Sequence, residues 1–190
     1  MKEIIIRTME NKSNAIIITG GPGMGKTSII EQFSVMGYHS VKETGRSIIQ
    51  NELQTDGNRL PWFDKEGFAM AMFQQSLKDF QNVPEKCGLT FFDRGIPDVI
   101  GYLKLSNISI PETMWQAAKE KRYYPMVFIT PPWKAIYVND AERKQTFEEA
   151  VATYHTMKET YSFLGYKLVE LPKTTVLKRV NFIIEYLSAV

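Results

Sequence analysis

Cysteine is nearly missing from this chain: Cys87 is the one thiol in 190 residues. A single cysteine excludes an intrachain disulfide framework and fits a reducing compartment. Beside Gly88, at the start of an expected strand, it reads as a structural thiol rather than a nucleophile. Histidine is scarce as well. His39 falls in an expected strand and His155 in an expected helix, neither with a partner at metal-ligand spacing, so both read as structural. No sign of charge dominates: 23 Lys and Arg against 21 Asp and Glu leave a net charge of +2, which argues against a nucleic-acid binder held by bulk charge. Long apolar runs are lacking too. Nothing approaches the roughly 20 residues of a membrane span, and the isoleucines at 4–6 are too few for a signal-peptide core. Repeats, linkers and low-complexity tracts are also lacking. What remains is a soluble, cytoplasmic protein, and 44% hydrophobic content over 190 residues is enough for one domain spanning 1–190.

The patterning alternates between strand and helix. The run at 15–19 (AIIIT) is short and continuously apolar, as in a strand covered on both faces. Ile29, Ile30, Phe33 and Met36 recur at helical spacing, and Gly37 closes that helix. Residues 38–42 fit a second strand. Ala69, Phe73, Leu77 and Phe80 mark a helix face between 64 and 80. Residues 89–92 and 126–129 fit the third and fourth strands. Thr146 and Glu149 have capping-box spacing and open a helix to about Leu164. Residues 166–171 fit a fifth strand, and Val176, Val180, Ile183, Ile184 and Leu187 stripe a closing helix. Residues 4–9 are a candidate extra strand, and 106–120 should contain a short helix. Five strands separated by helices predict an α/β fold, a parallel five-stranded sheet with helices on both faces.

Residues 20–27, GGPGMGKT, fit G-x-x-x-x-G-K-[ST] between a strand and a helix, the context that makes this motif a phosphate cradle. Gly20, Gly21, Pro22, Gly23, Met24 and Gly25 supply the loop, whose backbone N–H groups converge on phosphate oxygens. The following helix N-terminus, with Lys26, Thr27 and Ser28, adds positive potential. Lys26 should reach the β- and γ-phosphates, and the Thr27 hydroxyl should ligate Mg²⁺.

The stretch LTFFDRG (89–95) ends an apolar strand with Asp93, the natural second anchor for Mg²⁺. A helix follows at once, so capping competes with that role. Arg94 occupies the place where ATPase motors carry a second acid that polarises water. A guanidinium cannot accept a proton at neutral pH, but it grips a phosphate oxygen well, which favours phosphoryl transfer to a bound acceptor over hydrolysis. No guanine-reading Asn-Lys-x-Asp follows a later strand. NKSN at 11–14 precedes the cradle, and the letters D-x-x-G at Asp98–Gly101 fall inside a helix. ATP is therefore the expected donor, with GTP kept beside it.

On the acceptor side, KETGRSII places Glu43 and Arg46 at the carboxyl end of the second strand, on a loop and a first helical turn. There Glu43 could take a proton from an acceptor hydroxyl and Arg46 could hold an anionic group. Trp62 and Phe63 in RLPWFD are a candidate stacking wall. Residues 130–150 look like a lid carrying Asp140, Arg143 and Lys144. Arg143 is the candidate cation closing over the transferring phosphoryl group, with Lys144 second. No motif identifies the residues that meet the base; Lys173 and Thr174, after the fifth strand, are candidates by position alone.

These pieces together resemble a NadR-like family. Its members are small P-loop ATPase-like domains, grouped with the ribosylnicotinamide kinase domain of the bacterial NAD regulator and an animal GTP- and phosphoinositide-binding trafficking protein, and often labelled AAA. The matching stretches are TGGPGMGKTSIIEQF, VKETGRSII, LPWFD, FFDRGIPDVIGYL, the 140–143 segment and YSFLGYKLVELP, in order over nearly the whole chain. The resemblance implies a three-layer P-loop NTPase fold of nucleoside- or nucleotide-kinase type with a mobile lid. It also implies nucleotide roles for Gly20–Thr27 and Asp93, and site roles for Glu43, Arg94 and Arg143. In the lid, Ala141 stands where the family usually has glycine. The AAA label does not imply an oligomeric motor, since the chain is short for one and Arg94 replaces the second acid.

The leading expectation is a Mg²⁺-dependent phosphotransferase that moves phosphate from ATP to a small acceptor such as a nucleoside or nucleotide. The competing readings are a nucleotide-binding regulatory module and a slow ATPase.

Overall fold

The computed structural model describes residues 14–84, 88–137 and 145–189. Its centre is β1 (Ala15–Gly20), six residues buried along their whole length. Five strands lie in the order β2-β3-β1-β4-β5, where β2 is His39–Val41, β3 Thr90–Asp93, β4 Met126–Thr130 and β5 Lys167–Glu170. Every pairing is parallel, with Ile17 opposite Phe92 on one side of β1 and opposite Val127 on the other.

A central parallel strand is covered on both faces, so it has no polar side to show and reads as an unbroken apolar run. The period-2 alternation of the pleat then deals its residues to two cores. Ala15 and Ile17 pack with Phe92, Val127 and Ile129 in one cluster, whereas Ile16 and Ile18 pack with Phe91, Phe128 and Val169 in the other. The second cluster lies under α1 (Lys26–Val35) and the closing helix α7 (Val176–Ser188). The first lies under α3 (Lys65–Gln81), α4 (Ile96–Leu105), α5 (Glu112–Glu120) and α6 (Phe147–Phe163). A smaller cluster of Ile49, Leu60 and Phe68 joins α2 (Thr44–Gln54) to α3.

The helix boundaries follow from local chemistry. The α1 helix ends with Gly37 N–H donating to Ser34 O and Tyr38 N–H to Phe33 O, both 3.0 Å, the Schellman pattern that glycine permits. The Thr146–Glu149 capping box forms in both directions, at 2.6 and 3.2 Å. The short helix expected within 106–120 is α5. The α2 helix extends further than the single turn foreseen around Arg46. Among the described residues no helix is long and apolar enough to cross a membrane. The extra strand considered at 4–9, Cys87 and the lid residues Asp140, Arg143 and Lys144 lie outside the described residues.

Connections leave β1 and β3 in opposite directions. The chain passes from β1 over β3 to β2, and from β3 over β1 to β4. The carboxyl ends of these two neighbours therefore form a topological switch point, where ligands bind in open α/β sheets.

Candidate active site at the switch point

The loop from Gly20 to Gly25 leaves the carboxyl end of β1 and turns into α1. Glycine is required at two points by close approach. A Cβ on Gly20 would lie 2.3 Å from Thr130 Oγ1, at a φ of +131°, and one on Gly21 would lie 2.3 Å from the Ala150 carbonyl oxygen. The loop is thus clamped between the end of β4 and the first turn of α6. Met24, fully buried, anchors it from below: its carbonyl accepts from Arg179 Nη1 at 3.1 Å and its sulfur accepts from Trp133 N–H at 3.2 Å. No side chain caps α1 and its first turn holds no acid, so the end of its dipole is left for an anion. Lys26 is buried, and its ammonium donates to Gly21 O at 2.7 Å, within the loop it serves.

Asp93 ends β3 next door and is 3% exposed. The Thr27 hydroxyl donates to Asp93 Oδ2 at 3.2 Å, joining the two elements. Capping, the rival role for Asp93, belongs to another residue: α4 is capped at Gly95, whose N–H donates to Asp98 Oδ2 at 2.9 Å. A hydroxyl and a carboxylate at this separation are hard oxygen donors of the kind Mg²⁺ takes alongside water and phosphate. The residues present therefore fit the metal that the cradle implies. Among the described residues no group of three or more His, Cys, Asp or Glu could hold a metal by itself, so such an ion would rest partly on the nucleotide.

Arg94 is half-buried and holds a left-handed backbone, φ 75°, a conformation that costs a non-glycine residue about 1–2 kcal/mol. Its Nε donates to Glu43 Oε1 and its Nη1 to Asp98 Oδ1, both at 3.1 Å. Burial works to lower its pKa, but the carboxylates of Glu43, Asp98 and Asp93 outweigh burial and hold it above the ordinary arginine value. Glu43, whose side chain is also largely buried, is thereby brought to the cradle side of the site. Beside this pair, Thr44, Ser76, Asp79 and Tyr123 line a narrow cleft with Arg94.

The other proposed acceptor residues lie on α2 and on the turn before α3. Arg46 is half-buried in the first turn of α2, while Trp62 and Phe63 are 54% and 77% exposed in the turn before α3. A Cβ on the adjacent glycine, Gly45, would meet Met72 Sδ at 3.3 Å and the Phe68 ring at 3.5 Å. His39 and His155 are both exposed.

On the far side of the loop is a cavity of about 700 Å³ lined by Gly23, Ser28, Trp133, Lys173, Thr174 and Arg179, among others. Lys173 and Thr174 were foreseen there; Trp133 and Arg179 were not. Arg179 is 1% exposed, and its guanidinium sits 5.4 Å from the Trp133 ring and donates through Nε to Pro172 O at 2.9 Å. Its burial lowers its pKa. One signal was present in the sequence: at helical spacing Arg179 shares the inner face of α7 with Val176, Val180 and Ile183.

The family model described as AAA domain matches residues 15–179. The chain belongs to this family. No curated protein matches it. Among solved structures, deoxyadenosine kinase from M. mycoides with products dCMP and a flexible dCDP bound is similar at TM-score 0.63 and 15% identity, covering 93% of this chain and 100% of that one. NadR in complex with NR matches at TM-score 0.63 and 19% identity, covering 92% of this chain and 50% of that one. Thymidylate kinase from Candida albicans matches at TM-score 0.64 and 15% identity, covering 93% and 92%. The AAA-domain protein therefore has the P-loop fold of nucleoside and nucleotide kinases, and the NadR-like resemblance of its motifs is borne out.

Proposed function

We propose that this protein is an ATP-dependent phosphotransferase acting on a small acceptor with a hydroxyl or phosphate nucleophile, of nucleoside or nucleotide type. One observation carries the reading: Glu43, Arg94, Asp93, Thr27 and the glycine loop converge at one switch point, joined by hydrogen bonds of 3.1 and 3.2 Å. A hydrolase would need a group to activate water after Asp93, and Arg94 accepts no proton. Kinase neighbours of the same fold add support.

In this reading the loop amides and Lys26 bind the β- and γ-phosphates, so the Lys26 ammonium exchanges Gly21 O for phosphate oxygen. The triphosphate's base lies in the cavity by Lys173, Thr174 and Trp133, whose volume falls within the usual range for ligand pockets. Thr27 and Asp93 would hold Mg²⁺, which supplies charge neutralisation across the phosphates. Glu43 accepts the acceptor's proton as that oxygen forms its bond to the γ-phosphorus; the bond from phosphorus to the β-bridging oxygen breaks, and ADP departs with the electron pair. Arg94, with Arg143 from the segment at 138–144, stabilises charge on the transferring group. Arg46, on the first turn of α2 beside Glu43, would hold an anionic group of the acceptor, and Trp62 would reach the acceptor if the α2–α3 connection folds toward the cleft on binding. A cytoplasmic location belongs to the same proposal.

The test is a screen of metabolite pools with γ-labelled ATP, run with native protein, Lys26→Ala and Glu43→Gln. Labelled product that needs both residues supports transfer. Tight nucleotide binding with no labelled product in any pool would instead identify a regulatory nucleotide-binding module.

A further inference from the structure

Asp98 is buried, 5% exposed, on the first turn of α4, and none of the steps above uses it. Four donors fill its carboxylate. Thr19 Oγ1 and Arg94 Nη1 donate to Oδ1 at 2.5 and 3.1 Å. Tyr161 O–H and Gly95 N–H donate to Oδ2 at 2.5 and 2.9 Å. A carboxylate has about four lone-pair sites, so this one is saturated. Helix capping accounts for the Gly95 bond and for none of the other three. Those come from the end of β1 just before the glycine loop, from the last turn of α6, and from the guanidinium beside Glu43.

The geometry around Arg94 shows what such a hub accomplishes. Glu43 takes Nε and Asp98 takes Nη1, so two edges of the rigid guanidinium fork are fixed by carboxylates on opposite sides. Among the described residues Nη2 donates to nothing. Its two N–H groups are left for a ligand, and their direction is set by the other two nitrogens. The left-handed backbone of Arg94 persists only where its surroundings over-determine it. Asp98 does this from both ends, holding the side chain through Nη1 and the next residue through its N–H.

We propose that Asp98 is a positioning residue: with Thr19 and Tyr161 it locks Arg94 so that Nη2 faces a transferring phosphoryl oxygen while Nε stays on Glu43. The consequence for transfer rests on the phosphotransferase reading; the positioning itself does not. The ordering of the donors explains why the residue must be an acid. An amide at position 98 would turn one acceptor oxygen into a donor, facing a pair of groups that also donate, and its one remaining oxygen cannot serve all four.

The experiment is arginine side-chain NMR on the nucleotide-free full chain. Arg94→Lys identifies the Arg94 Nε–H resonance by its disappearance. In native protein this proton should exchange slowly with water. In Asp98→Asn it should exchange about tenfold faster or more, the loss of a charge-assisted hydrogen bond, although position 98 never touches that proton. An unchanged rate in folded Asp98→Asn overturns the proposal, as does a native Arg94 Nε–H that exchanges as fast as those of exposed arginines. Should Asp98→Asn fail to fold, Tyr161→Phe carries the test. It removes one of the bonds that hold the Asp98 carboxylate, so the Arg94 Nε–H should exchange faster than in native protein, by a smaller factor than the loss of Asp98 itself would give, and an unchanged rate overturns the proposal. Calorimetric titration with Mg-ATP runs alongside: a failure to bind nucleotide defeats the function proposed above and leaves the Arg94 result to stand or fall alone.

Discussion

The two halves of the proposed site, one assigned to the donor and one to the acceptor, are built differently. The donor half is a backbone structure. Its loop is wedged between Thr130 and Ala150, pinned by Met24 to Arg179 and Trp133, and mounted on the most deeply buried strand of the sheet. The acceptor half is made of side chains. Glu43 is occupied by Arg94, the cleft beside them is narrow, and the aromatics Trp62 and Phe63 face outward. Triphosphate is the same in every reaction of this class, so its receptor can be rigid, whereas acceptors differ and their receptor is left to adjustable groups.

The largest expected effect separates the halves directly. Glu43→Gln should lower transfer by about 10²–10⁴-fold with ATP affinity unchanged, while Lys26→Ala should weaken ATP itself by about 10–100-fold. Initial rates with labelled ATP and calorimetric titration measure the two, and a Glu43→Gln protein that loses ATP binding would merge the halves. Next in size, Gly21→Ala drives a methyl into the Ala150 carbonyl and should cost about 1–3 kcal/mol of stability together with nucleotide affinity, read by denaturant melts with and without Mg-ATP.

The third test uses pH. Tyr161 and Tyr123, beneath the Asp98 hub and the acceptor cleft, have pKa values raised by burial first, and for Tyr161 also by the Asp98 carboxylate. Because the folded values lie above the unfolded one of about 10, their contribution is complete below pH 10 and is lost as pH rises through the folded values. Thermal melts should therefore fall above about pH 10, and Tyr161→Phe should flatten that fall. The smallest effect is that of Trp62→Ala: at 54% exposure the change should move stability by no more than about 0.5 kcal/mol. If Trp62 stacks on the acceptor, the acceptor KM rises while the ATP KM does not.

The legibility of the sequence followed the same division. The strand, loop and helix of the cradle are contiguous, and their chemistry is local, so GGPGMGKT and its setting could be read directly. The strands β1, β3 and β4 were legible as short, largely apolar runs bounded by turns, while the edge strands β2 and β5 carry polar residues and were read from their place in the alternation. The α2 helix was read as no more than a first turn because TGRSIIQNELQ carries a glycine and few apolar residues, and only the cluster of Ile49, Leu60 and Phe68 shows what holds it. Asp98 was set aside as part of a chance D-x-x-G. Its partners Thr19 and Tyr161 are 79 and 63 residues distant, and no local pattern reports such pairing. Trp62 was a candidate stacking wall weighed against a core role; its 54% exposure tells against the core role, which composition by itself could not decide.

The burial of β1 has a kinetic corollary. Flanked by strands on both edges and helices on both faces, its amides should be among the last to take up deuterium, because they open only when the sheet itself comes apart. The nucleotide loop hangs from that strand. A partly opened molecule, with the α2–α3 connection detached, would then still present an intact grip for triphosphate.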